Sequence, residues 1–489
     1  MKLLSQITST INILSREGNT DDIKIKDIVS DSRKDVEGAL FIAVKGVNVD
    51  GHTFVNDVVA RGAAAVVVEE LPKKLNPKVA YLKVENSAIA LGEISSQWFD
   101  NPSSKLKLVG VTGTNGKTTT ATLIYEMAHL MGFKAGLLST VKNYIDYEAV
   151  PATHTTPSPI ELNSLLARMV DAGCEYAAME LSSHAAHQHR IAGLTFAGGV
   201  FTNLTRDHLD YHKTFEAYLA AKQSFFDMLP STAFALTNID DKNGEIIIQN
   251  TKAKRLTYSL RRSSDYLGRI IEQRLDGTLM SFNMNEVEVM FTGRFNAYNL
   301  TALYGTAIQL GWQSEKVLLN MSRLVPVSGR FQTFRSPRRG YVAIVDYAHT
   351  PDAVVNVLHT IREIIGNHGK IITVVGAGGN RDKGKRPIMA AEAAKLSDRL
   401  ILTSDHPRDE DTRQIIADMR EGLDTPLLRN KTISITYRDE AIRTGAYIAL
   451  PGDVLLIAGK GHEDYQEING VRHHFDDSEV IKDIFANEN

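Results

Sequence analysis

The chain has 489 residues, with 43% hydrophobic and 23% charged side chains, an ordinary globular balance long enough for about three domains. Its formal net charge is −3, so it lacks the basic excess that binding mainly to nucleic-acid phosphates requires. The single cysteine, Cys174, excludes an intrachain disulfide and a thiolate zinc site.

Residues 1–16 mix apolar and polar side chains, with no basic start and continuous apolar run of the signal-peptide kind. No segment approaches the roughly 20 apolar residues of a membrane span. The expectation is a cytoplasmic protein with no nucleic-acid partner and no membrane insertion.

In chain order, short strands and the apolar run 63–68 fill a first region. It closes at the polar, turn-forming cluster 100–104. A second region opens with a strand at 106–111, a glycine-rich turn, and a helix from Lys117 to about Met131. Further strands are expected at 135–139, 176–181, 198–203 and 233–238, and the region ends near 327–330. A third region has strands at 342–347, 371–375, 400–404 and 454–458, with helices at 387–396 and 438–449. Strands alternating with helices favour parallel sheets with crossover connections. The expected fold class is therefore α/β in three domains, 1–100, 101–330 and 331–489: a small α/β domain, a central parallel-sheet domain and a C-terminal Rossmann-like domain.

The stretch Gly110-Val111-Thr112-Gly113-Thr114-Asn115-Gly116-Lys117-Thr118-Thr119 lies between a strand and a helix. Glycines let backbone N–H groups approach phosphate oxygens, and the helix N-terminus is partially positive. Lysine adds a full charge, and a following hydroxyl can reach Mg²⁺. Glycines at 110, 113 and 116 make it a variant phosphate loop, since Val111 stands where the usual pattern has glycine. The bland alternative is a strand-to-helix turn with an incidental lysine. A second cluster, Gly376-Ala377-Gly378-Gly379, lacks the third glycine of a dinucleotide fingerprint. It reads as a turn that brings Asn380, Arg381 and Asp382 to the carboxyl edge of a sheet.

Glu180 ends a strand and is placed to hold Mg²⁺; it could equally be a capping or surface glutamate. His208 could bind a cation with Asp207 behind it, or simply pack and hydrogen-bond. Lys222, in a helical stretch, reads on its own as a surface lysine.

Taken together the landmarks resemble the Mur ligase family of peptidoglycan precursor synthesis, nearly end to end. They are Asp31-Ser32-Arg33-Lys34, the loop at 113–119, Thr155-Thr156-Pro157, Glu180-Leu181-Ser182-Ser183-His184, Asn203-Leu204-x-x-Asp207-His208-Leu209-Asp210, Asp346-Tyr347-Ala348-His349-Thr350-Pro351 and Gly459-Lys460-Gly461-His462-Glu463. The resemblance implies an ATP- and Mg²⁺-dependent, ADP-forming ligase. It would add meso-diaminopimelate to UDP-N-acetylmuramoyl-L-alanyl-D-glutamate through an acyl phosphate, as a monomer, with domain closure excluding water. It implies that the first domain binds the uridine end, through Ser32, the second ATP, and the third the amino acid. Thr155, Thr156, Ser182, Gln188 and Arg190 would hold the muramoyl dipeptide. Gly113, Thr114, Asn115, Gly116, Lys117, Thr118 and Thr119 would bind ATP, with Asn296, Asn299, Arg330 and Asp346. Lys117, Glu180, His208 and a carbamylated Lys222 would form the catalytic set, and Thr118, Glu180, His208 and Lys222 the metal set. Arg381, Asp405, His406, Pro407, Arg408, Gly459 and Glu463 would receive the amino acid.

Arg408 can grip a carboxylate with two parallel N–H bonds. Diaminopimelate has a second carboxylate and lysine does not, so Arg408 favours diaminopimelate. Its bland reading is a surface arginine among Asp409, Glu410 and Asp411. Four positions depart from the family pattern: His406 replaces the asparagine of an Asp-Asn-Pro-Arg signature, His154 precedes the threonine pair, and Ser328 and Gln332 alter the segment between the second and third regions. Three alternatives stay open: the same ligase with L-lysine or another diamino acid, a folylpolyglutamate-synthetase-like ligase, and a nucleotide switch using the loop only for binding.

Overall fold

The computed structural model describes residues 1–46, 49–152, 155–205 and 209–488. They form two compact units, Met1–Leu267 with Tyr298–Asn320, and Gly268–Ala297 with Met321–Asn489. Among the described residues no helix is long and apolar enough to cross a membrane.

Besides the two-stranded pair Lys2–Leu3 with Lys24–Ile25, the first unit holds two main sheets. The smaller runs in the order Ser15–Gly18, Ala80–Lys83, Ala65–Val68, Leu40–Ile42, Ile28–Val29. Its last four strands are parallel, and the first is antiparallel to its neighbour. Both faces are covered, as parallel strands require. Leu40, Ile42, Val67 and Leu82 enter one core, whereas Phe41, Val66, Val68 and Tyr81 enter another. That split is the two-residue side-chain period of a strand.

The larger sheet has a parallel centre in the order Ala135–Leu138, Tyr176–Glu180, Lys107–Thr112, Gly198–Phe201, Phe234–Asn238, Lys254–Ser259. The register pairs Glu180 with Val111 and Phe201 with Thr112. The glycine-rich turn, Glu180 and Thr202 therefore emerge together at the carboxyl edge. The expected strands lie within two residues of the observed ones. The sheet is not wholly parallel, however. Asn143–Ile145 and Glu148–Val150 add an antiparallel edge beside Ala135–Leu138, where a short turn replaces the crossover a parallel neighbour would need.

From Gly268 on, the second unit contains an antiparallel meander, made by the strand Tyr266–Arg274 with Gly277–Phe282 and Asn285–Val289, which the sequence pattern does not place. Its main sheet runs Gln332–Arg335, Val342–Asp346, Val454–Ala458, Ile371–Ala377, Arg399–Ser404, Thr432–Ser434, parallel after the first pair. Val342, Ile344, Val375, Leu402 and Leu456 face one core, and Ala343, Val345, Val374, Ile401 and Leu455 the other. Helices begin where a side chain can satisfy an N-terminal N–H. Thr350 accepts from Ala353 N ahead of Pro351–Ile365, and Asp411 from Arg413 and Gln414 N ahead of Thr412–Arg420. Cys174 is buried.

Candidate active site

The glycine-rich turn joins the strand Lys107–Thr112 to the helix Lys117–Leu130. Gly113 has φ 153°, and a Cβ there would lie 1.9 Å from Thr202 Oγ1, so no larger residue fits. Thr202 Oγ1 in turn donates to Asn115 O at 2.6 Å, and Asn115 N donates to Asn203 Oδ1 at 2.9 Å. Thr114 N donates to Asn203 O. The loop is thus held from the neighbouring strand end. Gly116 caps the helix with φ 84°. Lys117 Nζ curls onto the loop, donating to Thr114 O at 2.8 Å and Gly113 O at 3.1 Å. Asn299 Oδ1 accepts from Thr120 Oγ1 at 3.2 Å, behind the loop.

Glu180 is 1% exposed. Its carboxylate accepts from Thr118 Oγ1 at 2.9 Å, Thr140 N at 2.8 Å and Thr140 Oγ1 at 3.2 Å. It is therefore neither a surface nor a capping residue. Thr118 and Glu180 are adjacent hard oxygen donors beside a phosphate-type loop, a set that suits Mg²⁺. Lys222 is corrected from surface to core: it is 1% exposed, donates to Gly113 O at 2.7 Å and lies 4.8 Å over the Tyr218 ring. The helix Phe215–Asp227 turns this position inward with Tyr218 and Phe225. His208, Asp207 and His154 lie outside the described residues.

The dipeptide set gathers at the same edge. Thr156 Oγ1 donates to Glu180 O at 3.0 Å, and Thr155 Oγ1 lies 3.1 Å from Thr140 Oγ1, to which it can donate because the Thr140 proton is on Glu180. Ser182 caps the helix Ser183–His187. Arg190 donates to Thr156 O at 2.8 Å and forks onto Gln188 Oε1 at 2.7 and 3.0 Å. Ser32 is half-buried in the smaller-sheet region, where its carbonyl accepts from Arg61 Nη1. Sequence reasoning missed Thr140 and Tyr211, the latter accepting from Gln188 Nε2 at 3.0 Å. Thr140 was findable, because it follows the carboxyl end of Ala135–Leu138, the strand beside Tyr176–Glu180.

In the second unit, buried Asp346 accepts from Phe331 N at 2.6 Å and Ala348 N at 2.8 Å. Burial pushes its carboxyl up to about 6, against the opposing pull of Arg330 and the two N–H donors. The Arg330 guanidinium lies 4.3 Å over the Tyr347 ring. Asn296 Nδ2 donates to Thr292 O at 2.9 Å.

A separate cluster in this unit contains His406, Asp405, Glu463 and Lys460. Glu467 N donates to His406 Nδ1 at 3.0 Å, so the imidazole carries its proton on Nε2, which donates to Glu463 Oε2 at 2.8 Å. Asp405 Oδ1 is buried, without a hydrogen-bond partner among the described residues, 3.8 Å from Nε2. These three side chains could hold a cation. The fully buried Lys460 ammonium, 3.4 Å from Nε2, already supplies positive charge, so the group suits an ammonium better than a metal. Gly459 N donates to Asp346 O, and a Cβ on Gly459 would lie 3.3 Å from Asp405 Oδ2. Arg408 is not a plain surface arginine: its side chain is 22% exposed and Nη1 donates to Gly379 O at 2.6 Å. Pro407 O accepts from Glu410 N, and Arg381 is exposed on the neighbouring turn.

Three family models match this chain: the Mur ligase family catalytic domain over residues 24–99, the Mur ligase middle domain over 111–307, and the Mur ligase glutamate ligase domain over 329–461. A Parabacteroides distasonis protein named UDP-N-acetylmuramoyl-L-alanyl-D-glutamate–2,6-diaminopimelate ligase is 59% identical, with 96% of each chain covered. A Bacteroides fragilis protein of the same name is 57% identical over 99% of each. A solved structure of a ligase of that name is 33% identical, with TM-score 0.71 and 99% of each chain covered.

Proposed function

This chain belongs to the Mur ligase family, and we propose that it joins meso-diaminopimelate to UDP-N-acetylmuramoyl-L-alanyl-D-glutamate. As a member of that family it is an ATP-dependent, ADP-forming ligase. The observation that carries the reading is the buried triad around the loop: Thr118 on Glu180, and Lys222 on the Gly113 carbonyl. A protein that only bound a nucleotide would have no use for a lysine buried there. The acceptor assignment is supported by the relatives' names and by Arg408 with the Glu463 cluster.

In this reading residues 1–100 take the uridine end through Ser32, 101–330 take ATP and the dipeptide, and 331–489 take the amino acid. The γ-carboxylate of the D-glutamyl residue attacks the γ-phosphorus of ATP, giving an acyl phosphate and ADP. Backbone N–H groups of residues 113–119 and the Lys117 ammonium stabilise charge on the transferring phosphoryl oxygens. For that, Lys117 exchanges its loop carbonyls for phosphate. Asn299 supports the loop, while Asn296, Arg330 and Asp346 are assigned to the nucleotide by resemblance. Thr118 and Glu180 would hold Mg²⁺, with His208 and carbamylated Lys222 as further assigned ligands; when bound, the ion neutralises phosphoryl charge. The amine then attacks the acyl carbon and phosphate leaves. Thr155, Thr156, Ser182, Gln188 and Arg190 orient the dipeptide. Glu463, held by His406, receives an ammonium of the acceptor with Asp405, Pro407 and Gly459 around it. Arg408 and Arg381 receive its distal carboxylate. We place the enzyme in the cytoplasm, as a monomer.

The test is ADP release with the UDP-dipeptide and each candidate amino acid in turn. Release with diaminopimelate alone is expected. Release with lysine but not diaminopimelate overturns the acceptor assignment, and release with a folate substrate in place of the UDP-dipeptide overturns the substrate class.

A further inference from the structure

Two non-glycine residues beside the proposed acceptor site have left-handed backbone, Asn380 at φ 53° and Arg408 at φ 52°. Asparagine tolerates that conformation; arginine does so rarely. Such backbone persists only where its surroundings over-determine it. For Arg408 the backbone partners are Glu467 O, which accepts from Arg408 N at 3.0 Å, and Asn469 N, which donates to Arg408 O at 2.8 Å. The turn around Asn380 is held instead by Arg386, on the first turn of Lys385–Leu396 and 1% exposed. Its guanidinium forks onto Glu410, with Nη1 to Oε2 at 3.0 Å and Nη2 to Oε1 at 2.9 Å. It also reaches Gly378 O at 3.2 Å and Asp418 Oδ2 at 2.7 Å.

Glu410 passes the constraint on. Its Oε1 accepts from Asn380 N at 2.6 Å, while Asn380 Nδ2 donates to Asp409 Oδ2 at 2.7 Å. Gly379 N donates to His406 O, and a Cβ on Gly379 would lie 1.8 Å from Pro407 O, so the two segments are in backbone contact. Arg408 Nη1 closes the circuit on Gly379 O at 2.6 Å. Arg386, foremost, holds the Glu410 carboxyl down at about 2, so the fork stays ionised at any working pH.

We propose that Arg386 and Glu410 are positioning residues of the acceptor site, stapling the 378–380 turn to the 405–410 loop so that Arg408 is aimed at the distal carboxylate of the acceptor. The proposal rests on the acceptor reading above. Neither residue touches substrate; both act through the 378–380 turn, whose Gly379 carbonyl accepts from the Arg408 guanidinium. Asp418 is bonded to the same arginine but lies on the helix Thr412–Arg420, outside the circuit.

That difference separates positioning from general stabilisation. Glu410→Gln turns an amide NH₂ toward Arg386 and breaks the fork, whereas Asp418→Asn leaves it whole. In Glu410→Gln the KM for diaminopimelate should rise on the order of 10-fold or more, with kcat and the KM for ATP within about twofold. Amide exchange at Gly379 and Asn380 should accelerate. Asp418→Asn should change none of these. An unchanged acceptor KM in Glu410→Gln, or an equal rise in Asp418→Asn, overturns the proposal; Glu410→Asp replaces Glu410→Gln if the latter does not fold. A wild-type enzyme that consumes no diaminopimelate overturns the acceptor reading instead, and the amide-exchange comparison then still supports or overturns the staple.

Discussion

Replacing Glu180 by glutamine removes one charge and keeps the shape, and it separates the fold's need for this residue from the chemistry's. At 1% exposure the carboxylate accepts three hydrogen bonds, from Thr118 Oγ1, Thr140 N and Thr140 Oγ1. The amide oxygen of glutamine can keep the Thr140 N–H. Its NH₂ must then face the two threonine hydroxyls, which can rotate to accept. Bonds to a charged group contribute ~1.5–3 kcal/mol and neutral ones ~1 kcal/mol, so over three bonds the exchange alone costs about 2–6 kcal/mol. Burying an amide is cheaper than burying a carboxylate by several kcal/mol, which offsets most of that loss. The expected net change is within about 2 kcal/mol, a downward shift of a few degrees in Tm. Turnover should respond far more strongly. Loss of one preorganised charge at a phosphoryl-transfer site costs on the order of 10²–10³ in kcat. Thermal unfolding and steady-state ADP release across a Mg²⁺ titration measure both. A kcat within about threefold of wild type at every Mg²⁺ concentration would refute the catalytic role. A stability loss above about 4 kcal/mol would show that the residue's main work is structural.

Lys222→Ala should lower turnover by at least ~10²-fold, with partial recovery on adding a short carboxylic acid that stands in for the carbamate anion. Unaltered turnover would favour a nucleotide switch, and loss without recovery would count against carbamylation. Asp346 should give the second unit an unusual pH response. Its native pKa, about 6, lies above the ordinary 3.8. The native state therefore holds more protons than the unfolded chain between those values, and stability falls as pH rises through that window, by on the order of 3 kcal/mol. It is constant above about pH 6 to 7 for this group. Urea unfolding at a series of pH values should show that slope in the wild type and lose it in Asp346→Asn; an identical slope in both contradicts the assignment.

Sequence alone was enough wherever structure follows from short-range pattern. Val454–Ala458 is a continuous apolar run, and it forms the expected strand residue for residue. The glycines, Lys117 and Thr118 are contiguous, so their turn and helix start could be read directly, and the carboxyl-edge rule located Glu180. Tertiary structure decided what depends on distant partners. The strands from Tyr266 to Val289 carry Arg269, Glu272, Arg274, Glu286 and Glu288, and this solvated charge masks their alternation until pairing across the meander supplies the hydrogen bonds. Lys222 reads as a surface lysine because a helical stretch does not say which face is inward, and its partner, Gly113, is 109 residues away. The same holds for Arg386 and Arg408, each of which looks like one more charge in a polar run. Only when the fold brings residues 378–380 against 405–410 do those charges find partners, and burial then makes the contacts count.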